Sequence, residues 1–289
     1  MDPLVGIGLL LALATAVASI VGFLFKHRGA VESPAVEWRR PLRTSLGLFR
    51  SKWYTLGILI ATASWGLHVA ALTLAPISLV QSVIAGGLVF LTVIADRLFG
   101  FTVTRREWIG VALTAAGLAF LAATLEGGAS ERHSDYDALT LGAYVGAVGT
   151  LGLTVGAAAR GTPRAGVAFA ASAGLLWGAS DVSIKALSDH VGDGLLVLAH
   201  PLAAVIALAS LLGLVVSARS LQVGKAVPVI AVTAAAANVS TIASGPIVFG
   251  EPLPADTLGV VVRLMAFALV IGAAALTPPP VRVARAELA

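Results

Sequence analysis

Apolar residues run along this chain in blocks of about twenty, parted by short polar stretches, a pattern that predicts nine helices. A helix needs roughly 20 mostly apolar residues to cross a hydrocarbon core of about 30 Å. The first block is Leu4–Phe25, and the basic stretch KHRGAVESPAVEWRRPLRTSLGLFRSK follows it. From Trp53 to Ala95 there is no Asp, Glu, Lys or Arg, which is too long for one crossing. Pro76 divides that block, because it lacks an N–H and disfavours helix in the residue before it. The expected spans there are 54–74 and 78–96. The others are 108–125, 139–159, 165–187, 194–218, 226–249 and 257–277, with the polar loop EGGASERHSDYD between the fourth and fifth.

Composition makes these helices membrane spans. Of 289 residues 58% are hydrophobic and 12% charged, and the mean hydropathy is +0.94. A soluble domain carries about a quarter charged residues. The chain therefore reads as an all-α integral membrane protein with the lipid bilayer as its surroundings. There is no cysteine, which excludes disulfides, thiol catalysis and cysteine-ligated metal. The pI of 9.8 does not imply a nucleic-acid partner, since no RNP, zinc-finger or basic-helix pattern is present. Residues 4–25 read as a first span rather than a cleaved signal. The acid of MDP precedes them and the basic residues follow.

The basic residues set the topology. Segments 26–53, 97–107, 160–165, 219–225 and 278–289 hold all of the 19 Lys and Arg except Arg132, Lys185 and Arg263. The alternate loops carry Glu126, Glu131, Asp135, Asp137, Asp189, Asp193, Glu251 and Asp256. This asymmetry predicts nine spans with the N-terminus outside and the C-terminus inside. Weak internal similarity adds a repeat. ALTLAPISLV (71–80) lies on ARSLQVGKAV (218–227), and LLALATAVASIVGFLFK (10–26) lies on VAFAASAGLLWGASDVSIK (167–185). The expected organisation is a four-helix repeat over 1–125, an acidic loop and linker helix over 126–160, an inverted second repeat over 161–277, and a cytoplasmic tail over 278–289.

Two long motifs carry a resemblance. They read AALTLAPISLVQSVIAGGLVFLTVIADRLFGFTVTRREWIGVALTAAGLAFLA and VGKAVPVIAVTAAAANVSTIASGPIVFGEPLPADTLGVVVRLMAFALVIGA. The chain resembles the drug/metabolite transporter superfamily, of the EamA-like type. Gly250–Glu251 is similar to that family's glycine-glutamate signature, and Asp96-Arg97 departs from it in the first half. FLFKHRGA, the long basic loop and TLAPISLV look most like the NIPA-type magnesium transporter branch. The resemblance implies a multi-pass plasma-membrane transporter, often a homodimer, whose substrate is a small molecule or ion. Most members have ten spans in two halves of five, against nine here.

Charges inside spans are costly and point to function. Asp181 and Lys185 stand one turn apart, acid before base, which favours a helical ion pair. The competing reading is an interfacial helix end with Lys185 snorkelling outward. Asp181 lies about 9 Å in from Leu187. If the substrate is Mg²⁺, Asp181 is the expected ligand, although Lys185 and Arg263 would repel a divalent ion. Arg263, two turns into the ninth span, reads as a structural ion-pair partner for Glu251 or Asp181. Glu251 itself reads as an outer-loop acid, and Asp96-Arg97 as a solvated helix end. His68 sits in mid-span with no acidic neighbour along the chain. It is a proton or substrate group, or a packed histidine. His200 precedes Pro201 and shapes the seventh span. Gln81, Gln222 and Asn238 offer hydrogen bonds that glue helices. Asn238, Ser240 and Thr241 cluster in one half, as Thr73, Ser78, Gln81 and Ser82 do beside Pro76 in the other. Polar residues beside a helix break in matching halves point to a binding site. Gly142, Gly146, Gly152 and Gly156 give the fifth span a packing or dimer face. There is no HExxH, GxSxG or P-loop, so neither an enzyme nor a cofactor is expected. A membrane scaffold is the remaining reading, which the polar clusters disfavour.

Overall fold

Local signals set the helix ends. The computed structural model describes residues 3–87, 89–100, 104–123, 135–251 and 256–275. The acidic loop residues 126–134, the tail from 276, and the side chains of Ser78, Ser82, Asp96, Asp189, Asp193 and Arg263 lie outside the described residues. Among the described residues every regular element is helical. Helix α1 (Pro3–Val31) leads through a short α2 (Pro41–Gly47) and a 3₁₀ turn to α3 (Lys52–Leu74). Then come α4 (Ile77–Gly86), α5 (Val89–Phe99), α6 (Arg105–Ala123), α7 (Ala138–Ala158) and α8 (Ala165–Leu187). Last are α9 (Pro201–Val223), α10 (Ala226–Val248) and α11 (Thr257–Ala275).

Six of these, α1, α3, α7, α8, α9 and α10, are long and apolar enough to cross a membrane. Helices α6 and α11 hold shorter apolar stretches, Trp108–Gly117 and Thr257–Ala266. Large apolar side chains such as Leu10, Leu139 and Leu264 face outward. Water would penalise that surface and lipid does not.

Two expected spans differ from the observed helices. The segment 78–96 is two helices, α4 and α5, rather than one. Gly86 and Gly87 are weak helix formers, and Gly87 closes α4 with its N–H on the carbonyls of Val83 and Ile84. At Gly87 the chain passes so close to α1 that any Cβ would strike the Ala16 methyl. The expected span 194–218 is displaced to Pro201–Val223. Ser188–Ala199 forms a 3₁₀ segment kinked at Gly194, whose φ of 63° suits glycine. Helix α9 starts only where Pro201 presets φ at the first helical position. There His200 Nδ1 caps the Leu202 N–H at 3.2 Å.

Helices α1 and α3 are antiparallel, with Gly8 against Leu74 and Ala75 at one end and Gly29 against Tyr54 at the other. Helices α8 and α10 are the most buried and form the axis of the bundle. Helix α8 packs on α7, α9 and α10; α10 also packs on α4, and α11 packs on α6. At the end opposite Leu74, Gln222 ties the segment after α1 to α9. Its Oε1 accepts from the Val36 N–H at 2.8 Å, and its Nε2 donates to the carbonyls of Pro34 at 2.9 Å and Ala30 at 3.3 Å. Trp38 stacks obliquely on Phe169 of α8 in the same region. Gly152 and Gly156 of α7 meet Ser172 of α8, whereas Gly142 and Gly146 face open space.

Helix α7 is capped by Asp137, which accepts from the Thr140 N–H at 2.8 Å and its hydroxyl at 2.9 Å. Those two bonds hold the Asp137 carboxyl below the usual carboxylate range. A depressed folded-state value means the cap stabilises above the ordinary carboxylate range and is lost as pH falls through the lowered value. Asp137→Ala should therefore melt below the wild type at neutral pH, and the two should converge in strong acid. Packing makes a second prediction. Gly29→Ala collides with the Tyr54 backbone and Gly174→Ala with the Thr233 carbonyl. Each should cost about 1–3 kcal/mol. Gly142→Ala should leave the melting temperature in detergent unchanged or raise it, since alanine is the better helix former by about 1 kcal/mol.

Candidate functional site

Pro76 creates the local chemistry. Helix α3 stops at Leu74, Ala75 is extended, and α4 starts at Ile77. In a continuous helix the N–H of residue 76 would bond the Leu72 carbonyl, but proline has none. Lys185 of α8 supplies the missing donor. Its Nζ donates to the Leu72 carbonyl at 3.0 Å and the Ala75 carbonyl at 3.1 Å. The side chain is fully buried. This corrects the snorkelling expectation: at a helix break inside the protein, carbonyl oxygens replace water around the ammonium.

One turn back along α8, Asp181 faces α3 and α4. Its Oδ1 is 3.3 Å from His68 Nε2 of α3. Its Oδ2 accepts from Gln81 Nε2 of α4 at 3.4 Å. Gln81 Nε2 is also 3.4 Å from His68 Nε2. The expected Asp181–Lys185 pair is therefore replaced by a group drawn from three helices, and His68 does have an acidic neighbour, brought from 113 residues along the chain. The break at Pro76 positions two of the three, since His68 stands two turns before it and Gln81 one turn after. The side chains of His68 and Asp181 are 9% and 16% exposed, so the group is largely buried among apolar helices.

One imidazole nitrogen faces two partners of opposite character. With a proton on Nε2, His68 donates to Asp181. Without it, Nε2 accepts from Gln81, whose amide has a second N–H for the carboxylate. Which ring nitrogen carries the proton thus decides the bonding of all three residues. The group can hold a proton or an organic cation. Mg²⁺ prefers several oxygens, mainly carboxylate and water, and one carboxylate beside an imidazole and an amide fits it poorly.

The remaining expected residues are not gathered here. Thr241 is buried and spends its hydroxyl on the Ala237 and Asn238 carbonyls within α10. Asn238 is buried in the same helix, and among the described residues no hydrogen bond links it to the Asp181 group. Helix α10 runs unbroken through this stretch, so the two halves do not share a break at their polar clusters. Glu251 follows the end of α10 and is only 5% exposed, a buried acid rather than a solvated one. Gly250 turns the chain there, and the Glu251 N–H folds back onto the Gly245 carbonyl. Gln222 is glue, as expected.

Two functional-looking residues were not singled out. Tyr144 of α7 donates its hydroxyl to the Ser240 carbonyl. Lys26 is 3% exposed, with Nζ 3.8 Å from the Phe23 ring centroid and 5.4 Å from that of Trp177. The signal for Lys26 was its alignment with Lys185 in the repeat, since both stand at the polar end of an apolar block.

No family model, curated protein or solved structure matches the chain. The chain is an all-helical bundle among its described residues, with six helices long and apolar enough to cross a membrane and a polar group buried beside a helix break. Lys185→Met should lower stability by about 1–3 kcal/mol, because it strips a buried donor from the Leu72 and Ala75 carbonyls. Thermal melting of the purified variant measures this.

Proposed function

We propose that this chain is a multi-pass plasma-membrane carrier of the drug/metabolite type, rather than an enzyme, moving a small solute by alternating access. The observation that carries this is the Asp181–His68–Gln81 group, which joins helices of the first and second halves inside an apolar bundle. Ionisable residues in such a place are expensive and serve binding or proton movement. Helix pairing supports two related halves. Helix α1 packs on α3 as α8 packs on α9, while α4 meets α10 and α6 meets α11 across the middle. The Lys and Arg distribution supports nine crossings with the N-terminus outside, and inverted halves place the site at their interface. Asp181 takes the proton or cationic group of the solute, His68 relays or replaces the proton, and Gln81 holds the carboxylate in place.

The test is a thermal-shift panel of amines, amino acids and MgCl₂ on the purified chain, followed by proteoliposome uptake of any stabilising solute. Asp181→Asn should reduce uptake at least tenfold, about 1.4 kcal/mol or more. Full uptake in that variant would overturn the reading. Stabilisation by Mg²⁺ alone, abolished in the same variant, would favour the NIPA-like divalent-cation carrier instead.

A further inference from the structure

Lys26 and Lys185 occupy corresponding places in the two halves but not corresponding surroundings. Lys185 has the two carbonyls exposed by the break at Pro76. Lys26 is 3% exposed, against 0% for Lys185, and among the described residues it makes no hydrogen bond and no ion pair. What its ammonium meets is aromatic: the face of Phe23 at 3.8 Å and the ring of Trp177 at 5.4 Å. The two rings meet edge to face with centroids 5.6 Å apart. The place is shaped for the lysine. Gly57 of α3 lies where a Cβ would press on the Lys26 Cγ at 2.7 Å. The Trp177 indole is held by its N–H on the Ser210 carbonyl at 3.4 Å. Ring attraction is weaker compensation for a buried cation than an anion is.

Trp177 also relates Lys26 to the group already described. It precedes Asp181 by one turn on α8, a rise of about 6 Å, so the two share one face. Lys26 packs on Gly57 of α3 and Asp181 on His68, eleven residues further along the same helix, a rise of about 16 Å.

We propose that Lys26 is the anion-binding pole of the solute pathway, receiving the carboxylate of an extended zwitterion whose ammonium is held by Asp181 and His68. This rests on the carrier reading and names its substrate class. The aromatic rings flank the methylene chain between the two charged ends. The separation of the poles excludes a zwitterion whose charges sit on neighbouring atoms.

The probes are glycine, 4-aminobutyrate and 6-aminohexanoate, with pentylamine as the cation alone and hexanoate as the anion alone. Each is added to the purified full-length chain, and the rise in melting temperature is titrated. The expected order is 6-aminohexanoate above pentylamine, with glycine lowest. Lys26→Met should weaken apparent affinity for 6-aminohexanoate about tenfold or more, leaving that for pentylamine unchanged, and Lys26→Arg should restore it. The wild-type comparison decides even if Lys26→Met does not fold: equal responses to 6-aminohexanoate and pentylamine overturn the proposal, as does an excess that persists in Lys26→Met. If pentylamine acts only when Asp181 is present and the zwitterion adds nothing, the Lys26 pole alone is wrong. If no probe shifts the wild type, or shifts survive in Asp181→Asn, the carrier site fails too.

Discussion

A lysine that completes a broken helix underlies the arrangement of this bundle. Hydrocarbon has no water to bond stray carbonyls, so a helix interrupted inside it needs an internal donor. Pro76 interrupts α3 and frees the Leu72 carbonyl, and Lys185 supplies the bond. The same contact fixes α8 against the junction of α3 and α4. His68 before the junction and Gln81 after it then converge on Asp181, one turn along the helix that carries the lysine.

Helix α8 is accordingly an organising rod rather than one span among several. A single face of it presents Trp177, Asp181 and Lys185 at one-turn intervals. Its small residues do a different task on other faces. Gly174 and Gly178 let α10 approach backbone to backbone, and Ser172 fits against Gly152 and Gly156 of α7. Polar groups between neighbouring helices are paired locally, as with Ser180 and Ser210 at 2.9 Å or Ser19 and Ser64 at 2.7 Å. Such pairs hold helices together without presenting charge.

Much of this was legible in the residues. Long apolar blocks revealed helices such as α8 and α10 closely, because hydrophobic length is a strong signal in lipid. Asp181, His68 and Gln81 each stood out as polar residues in apolar surroundings. Their convergence did not, since it depends on how α3, α4 and α8 cross, and periodicity along one helix says nothing about its neighbour. The broken third span was hidden for a related reason. Gly86 and Gly87 are tolerable within a helix, and the approach of Ala16 to Gly87 is a contact between helices that neither stretch reveals by itself. The start of α9 was misjudged because Leu195–Ala199 is apolar enough to look spanning, whereas the His200 cap and Pro201 decide where the helix begins. A helix-end reading of Lys185 was open because sequence distance from a terminus is a poor measure of access to water.

The clamp made by Gln222 sets how this end of the bundle can move. One amide side chain satisfies the Val36 N–H and the carbonyls of Ala30 and Pro34. Parting α9 from that segment breaks all three bonds together, because they share a single hinge-like planar group. One side chain thus couples the position of α9 to the whole stretch from Ala30 to Val36.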